Sequence, residues 1–377
     1  MFAMKLQEDI PGAPDPRRIG PCRWWLGETE YLKRVKDSAI DPAFRARKSW
    51  FFFDDCMVCL GSGITCEDTR YPINTTLFQN TLNLPGKQQR FALDGAAISA
   101  FPLESALDKP VESHWLMDSS DNGYWVPSGN NPLHILRQER ALPYHTHWVF
   151  DQMKTAPSSD SRDSLVAQQD ALKENKGEVE LAWFDHGAAP AQPAGYEYAI
   201  VVDTTAETMR KFAAAPRYHV LRRDNTAHVV SDAPTKTTGY AIFEATADLK
   251  TRGLDSRSPS PQSVSKPCLL MLRETATGIF RVSFADPDPG LKPSPEEERM
   301  WSYPTAYATL EWNREGSSAG QTVTRVTFAG AWQVKGDGAR VVEGGPVGST
   351  TVEFHCVESQ PVIVEFQPAT TRTRGNK

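Results

Sequence analysis

The sequence predicts an all-β fold, with a large antiparallel β-sandwich followed by a smaller C-terminal β-sandwich. Three observations support this prediction: apolar runs of strand length recur along the chain, several of them alternate with polar residues, and helical periodicity is rare. The 377 residues also include 28 prolines and 25 glycines. Prolines and glycines spread along the chain in this way are typical of many short strands joined by turns.

The clearest alternation occurs in Thr322–Phe328 and Thr351–Val357. It predicts antiparallel strands with one buried and one solvated face. The N-terminal residues Phe2–Leu6 also read as a strand. Further apolar runs bounded by turn residues are Trp50–Leu60, Ala199–Val202, Tyr218–Leu221, Ala227–Val230, Gly239–Phe243, Cys268–Leu272, Ile279–Phe284, Thr305–Trp312 and Pro361–Phe366.

Helical patterns are confined to two segments. Residues Thr205–Ala215 predict a short amphipathic helix with Thr204 or Thr205 as its N-cap, and Ser164–Asn175 predicts a second, exposed helix. The segment Asp255–Ser265 is rich in serine and proline, which is typical of a linker. We therefore predict one β domain over residues 1–260 and a smaller one over residues 261–377.

Charge and hydropathy exclude some classes of function. The formal net charge is −6 and the pI is near 5.8, which disfavours nucleic acid as a partner but leaves room for an anionic sugar chain in a local basic cleft. Every apolar run is far shorter than the roughly 20 residues of a membrane helix, so we expect no membrane segment. The N-terminus lacks the arrangement of a signal peptide.

The cysteines are interpreted as buried thiols rather than metal ligands. Cys56 and Cys59, followed by Cys66, have a spacing similar to half of a zinc site. However, the pair lies in the apolar run Trp50–Leu60, and residues three apart on a strand point to opposite faces. The sequence leaves a disulfide open but does not indicate its pairing. We predict no metal site and no cofactor.

Histidine and aromatic patterns are weak indicators of chemistry here. His145 and His147 lie two apart, as in some metal sites, but no third ligand is evident. Asp185-His186-Gly187 follows a strand-like run, and we interpret it as a turn in which Asp185 or His186 satisfies backbone groups.

Trp24 and Trp25 precede the basic stretch Arg45–Lys48, which is a composition that suits an anionic sugar. Tryptophans packed in a core, with basic residues at the start of a strand, are the alternative that residue types alone favour.

Several segments, in order, resemble polysaccharide lyase family 8, and in particular its chondroitin sulfate ABC lyase branch. The match runs from the first residue to about residue 245 with the central β-sandwich (supersandwich) domain of that family, and less specifically onward with its smaller C-terminal sandwich. The segments are Met1–Leu6, Ala46–Asp55, Leu60–Ile64, Thr75–Gln79, Trp183–Gly187, Tyr196–Tyr198 and Tyr218–Asp224.

The resemblance implies a lyase that cleaves chondroitin sulfate or hyaluronan by β-elimination, located outside the cell or in the periplasm. It also implies that the catalytic Tyr, His, Arg and Asn lie on a helical toroid, for which we find no matching segment. We therefore expect no catalytic residue in this chain, no activity from it alone, and a toroid encoded upstream as its partner. The alternative is a stand-alone carbohydrate-binding or structural β-sandwich protein.

Asn74 is the one candidate substrate-binding residue. In the ABC-type branch, an acidic residue directly before the Thr-Thr-Leu-Phe-Gln motif reaches the substrate cleft, and here that position is Asn74. An amide hydrogen-bonds an anionic substrate but does not exchange a proton as a carboxyl group does. If Thr75 and Leu77 face the core, Asn74 and Thr76 point away from it. The competing interpretation is that Asn74 closes the turn after Pro72.

Overall fold

The computed structural model describes residues 1–7, 44–67, 69, 71–82, 91–108, 111–141, 176–249, 251, 258–287, 321–342, 348–357 and 360–369. The pairs Trp24–Trp25 and His145–His147, the predicted helix Ser164–Asn175 and the predicted strand Thr305–Trp312 lie outside these residues.

The described residues form 23 strands and one helix, which confirms the all-β prediction. The first twelve strands are β1 (Phe2–Gln7), β2 (Arg45–Phe53), β3 (Cys56–Thr65), β4 (Asn74–Thr81), β5 (Ala92–Leu93), β6 (Ala96–Ala97), β7 (Leu103–Leu107), β8 (His114–Met117), β9 (Gly123–Val126), β10 (Leu133–Ala141), β11 (Lys176–Asp185) and β12 (Ala194–Val201). Helix α1 (Ala206–Ala214) follows. The remaining strands are β13 (Tyr218–Arg223), β14 (Ala227–Asp232), β15 (Thr237–Ile242), β16 (Pro261–Val264), β17 (Cys268–Ala276), β18 (Ile279–Ala285), β19 (Gln321–Ala329), β20 (Trp332–Lys335), β21 (Ala339–Val342), β22 (Ser349–Val357) and β23 (Val362–Pro368).

The chain separates into two compact units. Unit 1 comprises Met1–Tyr71, Ala188–Glu197 and Pro216–Lys377, and unit 2 comprises Pro72–Gly187 and Tyr198–Ala215. In unit 1, β15 and β17 pair although they lie on opposite sides of residue 260 in the sequence. The division into domains 1–260 and 261–377 stays a prediction. No helix among the described residues has the length and apolarity needed to cross a membrane.

The apolar run Trp50–Leu60 is a hairpin rather than one strand. Strand β2 ends at Phe53, β3 begins at Cys56, and the two pair antiparallel across a two-residue turn. Asp54 adopts a φ of 51°, a conformation that aspartate tolerates better than most residues, so the apolar run reverses at this point. Cys56 and Cys59 are buried on β3, as the buried-thiol interpretation predicts, and among the described residues they form no disulfide.

The core of unit 1 lies between two sheets. A seven-stranded sheet, in the order β13-β14-β15-β17-β18-β23-β20, faces a four-stranded sheet, in the order β16-β19-β22-β21. Phe284 of the first sheet stacks on Phe354 of the second with ring centroids 4.3 Å apart, and Phe328 meets Phe366 edge-on at 4.9 Å. All four rings are fully buried. Burial of rings of this size supplies much of the hydrophobic stabilisation of a sandwich.

The seven-stranded sheet of unit 1 is also covered on its other face. Tyr240 points into the core just described, so its neighbour Gly239 points the opposite way. A Cβ atom at Gly239 would lie 2.6 Å from the ring of Phe51 on β2. Glycine is therefore required at this point, because the aromatic ring rests directly on the backbone of β15. Strand β2, with its neighbours β1 and β3, forms a third layer.

Unit 2 also packs aromatic residues between strands of different sheets. Strands β4, β11, β10 and β7 form a four-stranded sheet in that order. Phe78 of β4 meets Tyr124 of β9 at 4.7 Å between ring centroids, and Phe184 of β11 meets Tyr198 of β12 at 6.1 Å. Together with the core of unit 1, these contacts give the protein two sandwich-like packings.

Helix α1 forms where the sequence predicts it. Thr205 is the N-cap, and its hydroxyl oxygen accepts a hydrogen bond from the Thr208 N–H at 3.2 Å. Met209 is the buried residue of the helix, and its thioether lies where a Cβ of Gly123 would be. The helix thus packs on β9 of the same unit.

A histidine is buried between two layers of unit 1. His228 on β14 is fully buried, with Nδ1 2.7 Å from Ser49 Oγ and Nε2 2.9 Å from Ser62 Oγ. Ser62 Oγ donates its own proton to the Asp224 carbonyl at 3.0 Å. It therefore accepts from Nε2–H of His228, and Nδ1 accepts from the Ser49 hydroxyl. Burial, together with a smaller effect of the Arg223 cation, lowers the pKa of His228 from 6.5 to about 3.

We predict that this histidine makes unit 1 sensitive to acid. Because the folded pKa lies below the unfolded value of 6.5, the unfolded chain takes up a proton first as the pH falls. The His228 contribution is complete above pH 6.5, and it is lost on acidification toward pH 3 at about 1.4 kcal/mol per pH unit. Urea unfolding at a series of pH values should show a flatter profile for His228→Asn. His219→Gln, an exposed histidine on β13, is the control and should leave the profile unchanged. Equal profiles for the wild type and His228→Asn would contradict the prediction.

Candidate functional site

The candidate site lies at one end of the four-stranded sheet of unit 2. Thr76 of β4, Trp183 of β11 and His134 of β10 are cross-strand partners, so their side chains share one face. The register shifts between Ala182 and Trp183, where a bulge leaves Leu77 as the extra residue on β4. The His134 and Trp183 rings stack 5.0 Å apart, with 15° between their planes.

Asn74 begins β4, which is the edge strand of this sheet. Asn74 and Thr76 are exposed, whereas Thr75 and Leu77 are buried, so the alternation is the one that the sequence suggests. No hydrogen bond joins the Asn74 side chain to another described residue. Its cross-strand partner on β11 is Asp185. A carboxylate thus lies directly across from the position at which the resemblance expects an acidic residue.

The end of β4 is fixed by a buried imidazole. His186 is 7% exposed, with Nε2 2.9 Å from Thr75 Oγ1 and Nδ1 2.6 Å from Asn131 Nδ2. The Asn131 amide N–H donates to Nδ1, so Nε2 carries the proton and donates to the Thr75 hydroxyl. Backbone bonds from Ile73 N–H to the Gly187 carbonyl and from His186 N–H to the Ile73 carbonyl close the same corner. Asn74 is therefore held by neighbours on both strands.

Asp185 acts at the turn that follows β11, as the sequence suggests. Its Oδ1 accepts a hydrogen bond of 2.7 Å from the N–H of Gly187, whose φ is +76°. Its Oδ2 lies 3.8 Å from Nε2 of His134, which is within range of an ion pair when the imidazole is protonated. Asp185 thus combines a turn role with a charge directed toward the exposed row of side chains.

The exposed row offers an amide, a hydroxyl, a carboxylate and an aromatic stack across three neighbouring strands. Amide and hydroxyl groups donate and accept hydrogen bonds with sugar hydroxyls, and aromatic rings pack against the apolar faces of sugar rings. Because a row at a sheet edge is open to solvent, this arrangement suits the binding of a polar chain. Among the described residues no set of three or more His, Cys, Asp and Glu side chains is arranged to hold a metal ion.

The sequence indicates Asn74 as a site residue and Asp185 and His186 only as turn residues, and it does not mark His134 or Trp183. Alternation along β11 was the available signal, since Trp183 and Asp185 share a face with each other. The pairing of β10 with β11, which adds His134, is not visible in local sequence.

The two sandwich-like packings define this protein as an all-β protein of the sandwich class. The family models agree. The polysaccharide lyase family 8 super-sandwich domain matches residues 33–213, and the family 8 C-terminal β-sandwich domain matches residues 219–293. The chain belongs to polysaccharide lyase family 8.

Similar curated proteins are bacterial lyases. The chain is 28% identical over 338 residues to a chondroitin sulfate ABC exolyase of Bacteroides thetaiotaomicron, which covers 89% of this chain and 29% of that protein. It is 26% identical to a chondroitin sulfate ABC endolyase of Proteus vulgaris, over 66% of this chain and 21% of the relative. It is 28% identical to a hyaluronate lyase of Thermasporomyces composti, over 71% of this chain and 30% of the relative. The chain thus spans less than a third of these relatives.

Solved structures show the same fold. A Paenibacillus xanthan lyase superimposes with a TM-score of 0.57 at 19% identity, over 88% of this chain and 27% of that one. A Streptomyces coelicolor chondroitin AC lyase, solved with chondroitin sulfate, superimposes with a TM-score of 0.54 at 18% identity. The match covers 88% of this chain and 33% of that one.

We predict that His186 stabilises this corner whereas Asn74 does not. His186→Ala removes the hydrogen bonds that His186 makes with the buried Thr75 hydroxyl and with the Asn131 amide, which should cost about 1–3 kcal/mol. Asn74→Ala, at an exposed position on the same corner, should stay within about 0.5 kcal/mol of the wild type. Denaturant midpoints of the two variants measure the difference. If Asn74→Ala proves as destabilising as His186→Ala, Asn74 acts as a turn residue.

Proposed function

We propose that this chain contributes the β-sheet portion of a lyase that degrades glycosaminoglycans of the chondroitin sulfate or hyaluronan type. The observation that carries the proposal is that models of two successive family 8 domains match in order along residues 33–293. The relatives include lyases named for chondroitin sulfate and hyaluronate. The location that accompanies this activity is extracellular or periplasmic.

The proposed reaction is β-elimination at a uronic acid. A base removes the proton at C5, neighbouring donors stabilise the charge that builds up on the sugar carboxylate, and the glycosidic oxygen at C4 leaves. The product is an unsaturated uronide. By resemblance, the Tyr, His, Arg and Asn that perform these steps belong to a helical toroid, and we assign no catalytic residue to the present 377 residues.

In this proposal the exposed row of unit 2 binds and orients the sugar chain. The amide of Asn74 donates a hydrogen bond to a carboxylate or hydroxyl of the substrate, but it exchanges no proton. The Trp183 ring, backed by the stacked His134, offers an apolar surface. Asp185 supplies a carboxylate on the neighbouring strand, where it accepts from sugar hydroxyls.

An apolar strip on unit 1 supports a helical partner. Phe2 and Met4 on β1 and Phe52 on β2 are 51%, 39% and 53% exposed. Phe2 also packs against Trp50, with ring centroids 5.3 Å apart. Large apolar side chains clustered on one exposed face are typical of a surface that another domain covers. We propose that the helical toroid is that domain, whether it is encoded in the same polypeptide or in a separate one.

The first test is lyase activity of this chain by itself. We expect no appreciable release of unsaturated uronide from chondroitin sulfate or hyaluronan, measured by ultraviolet absorbance at high protein concentration, because positioned acid–base groups contribute roughly 10²–10⁴-fold each. The Bacteroides thetaiotaomicron exolyase serves as the positive control. Robust turnover by the pure chain would place catalytic groups within it. Sugar binding that persists without turnover when a helical partner is added would favour the stand-alone binding protein.

The second test concerns Asn74 in the enzyme reconstituted with its helical part. Asn74→Ala should raise KM roughly twofold to tenfold, the value of one hydrogen bond, because the amide contacts substrate in both the bound and the transition state. Thr81→Ala, exposed at the opposite end of β4, is the matched control and should leave KM unchanged. Unchanged kinetics for Asn74→Ala would remove this residue from the site.

A further inference from the structure

Unit 1 contains a cleft that the proposed function does not use. Its volume is about 580 Å³, which lies within the range typical of small-molecule sites. The floor is the face of the seven-stranded sheet formed by Thr237, Arg273 and Arg281, with Met271 and Ser283 in the next row. The walls come from two turns, one between β2 and β3 and one between β14 and β15.

The floor of this cleft places two like charges directly opposite each other. Arg273 of β17 and Arg281 of β18 are cross-strand partners, and both are exposed. Cross-strand partners of like charge destabilise a sheet. Neither guanidinium forms an ion pair or side-chain hydrogen bond with another described residue. Glu365, the partner of Arg281 on β23, instead accepts a hydrogen bond of 2.6 Å from Gln367.

The other charges around the cleft do not neutralise the two arginines. Lys236 and Glu274 lie 3.9 Å apart and offset each other. Glu274 also accepts a hydrogen bond of 3.2 Å from the N–H of Gly278. Asp54, in the β2–β3 turn, is the remaining carboxylate of the lining. The cleft therefore has a net positive lining in a protein whose net charge is −6.

Elsewhere in unit 1, two exposed arginines on the strands that flank β22 are paired with a carboxylate. Arg325 and Arg340 flank Glu353, whose Oε1 is 2.7 Å from Arg325 Nε and whose Oε2 is 2.6 Å from Arg340 Nε. These hydrogen bonds lower the pKa of Glu353. The four-stranded sheet thus supplies a carboxylate between its two arginines, whereas the seven-stranded sheet supplies none between Arg273 and Arg281. Among the described residues, therefore, no carboxylate lies between Arg273 and Arg281, and an anionic ligand would supply one.

We propose that this cleft is a second glycan-binding site, which takes an anionic oligosaccharide through its carboxylate or sulfate groups. Guanidinium forks bind both groups with two parallel hydrogen bonds. The hydroxyls of Thr237, Thr275 and Ser283 line the same space and suit sugar hydroxyls. The site goes beyond the proposed function, because it belongs to unit 1 whereas the Asn74 row belongs to unit 2. Its role is to hold a charged chain without cleaving it.

The test is calorimetric titration of the full chain with a chondroitin 4-sulfate hexasaccharide. Arg273→Gln and Arg281→Gln should each weaken binding roughly tenfold, the value of one charge-assisted hydrogen-bonded pair. Arg273→Lys and Arg281→Lys should have smaller effects because they keep the charge and lose the fork. Arg340→Gln, in the paired set, should not change the affinity. Asn74→Ala separates the two sites. The arginine variants of the cleft should leave the KM of the reconstituted enzyme unchanged, and Asn74→Ala should leave binding at the cleft unchanged.

Three further ligands make the result decisive. If a desulfated hexasaccharide binds equally well, the carboxylate is the anion that the arginines bind. If it binds weakly, the sulfate is that anion. Either result supports the site. Inorganic sulfate that binds as tightly as the hexasaccharide would reduce the cleft to a simple anion site and overturn the proposal. Tighter binding of an oligothymidylate would replace it with a nucleic-acid site. An affinity for the hexasaccharide that none of the cleft variants alters would also overturn it.

Discussion

Most of unit 1 depends on a seven-stranded sheet that is covered on both faces. One face packs Tyr240 and its neighbours against the four-stranded sheet, and the other receives β2 through the contact of Phe51 with Gly239. Antiparallel sheets commonly keep one face in water, so a sheet covered twice must satisfy its polar groups internally. The buried imidazole of His228 is satisfied in this way, because each ring nitrogen forms a hydrogen bond with one serine hydroxyl.

The same covering explains where unit 1 opens to solvent. The β2–β3 hairpin turns at Asp54, and the sheet beyond that turn has no layer above it among the described residues. At this uncovered part of the sheet, the side chains that face solvent include those of Arg273 and Arg281. The cleft is thus a consequence of the length of one hairpin. A lengthened hairpin would bury two guanidinium groups, which is costly without paired anions.

In unit 2, an irregular register determines which side chains face solvent. The bulge opposite Ala182 and Trp183 places Leu77 and Phe78, two consecutive residues, on the buried side of β4. A bulge of this kind reorients the side chains on one side of it. Here it aligns Thr76 with Trp183 and His134, and it leaves Asn74 opposite Asp185. The buried hydrogen bonds of His186 then hold the end of β4 in place.

Local sequence is sufficient to predict the fold class, because period-two alternation in segments such as Thr322–Phe328 depends only on which face of a strand meets water. Neighbouring residues also restrict the N-cap of α1 to Thr204 or Thr205 and predict that Asn74 faces away from the core. The hairpin within Trp50–Leu60 and the position of Arg273 opposite Arg281, in contrast, depend on tertiary contacts. Strand register joins residues that are distant along the chain, and local sequence does not encode which strands become neighbours.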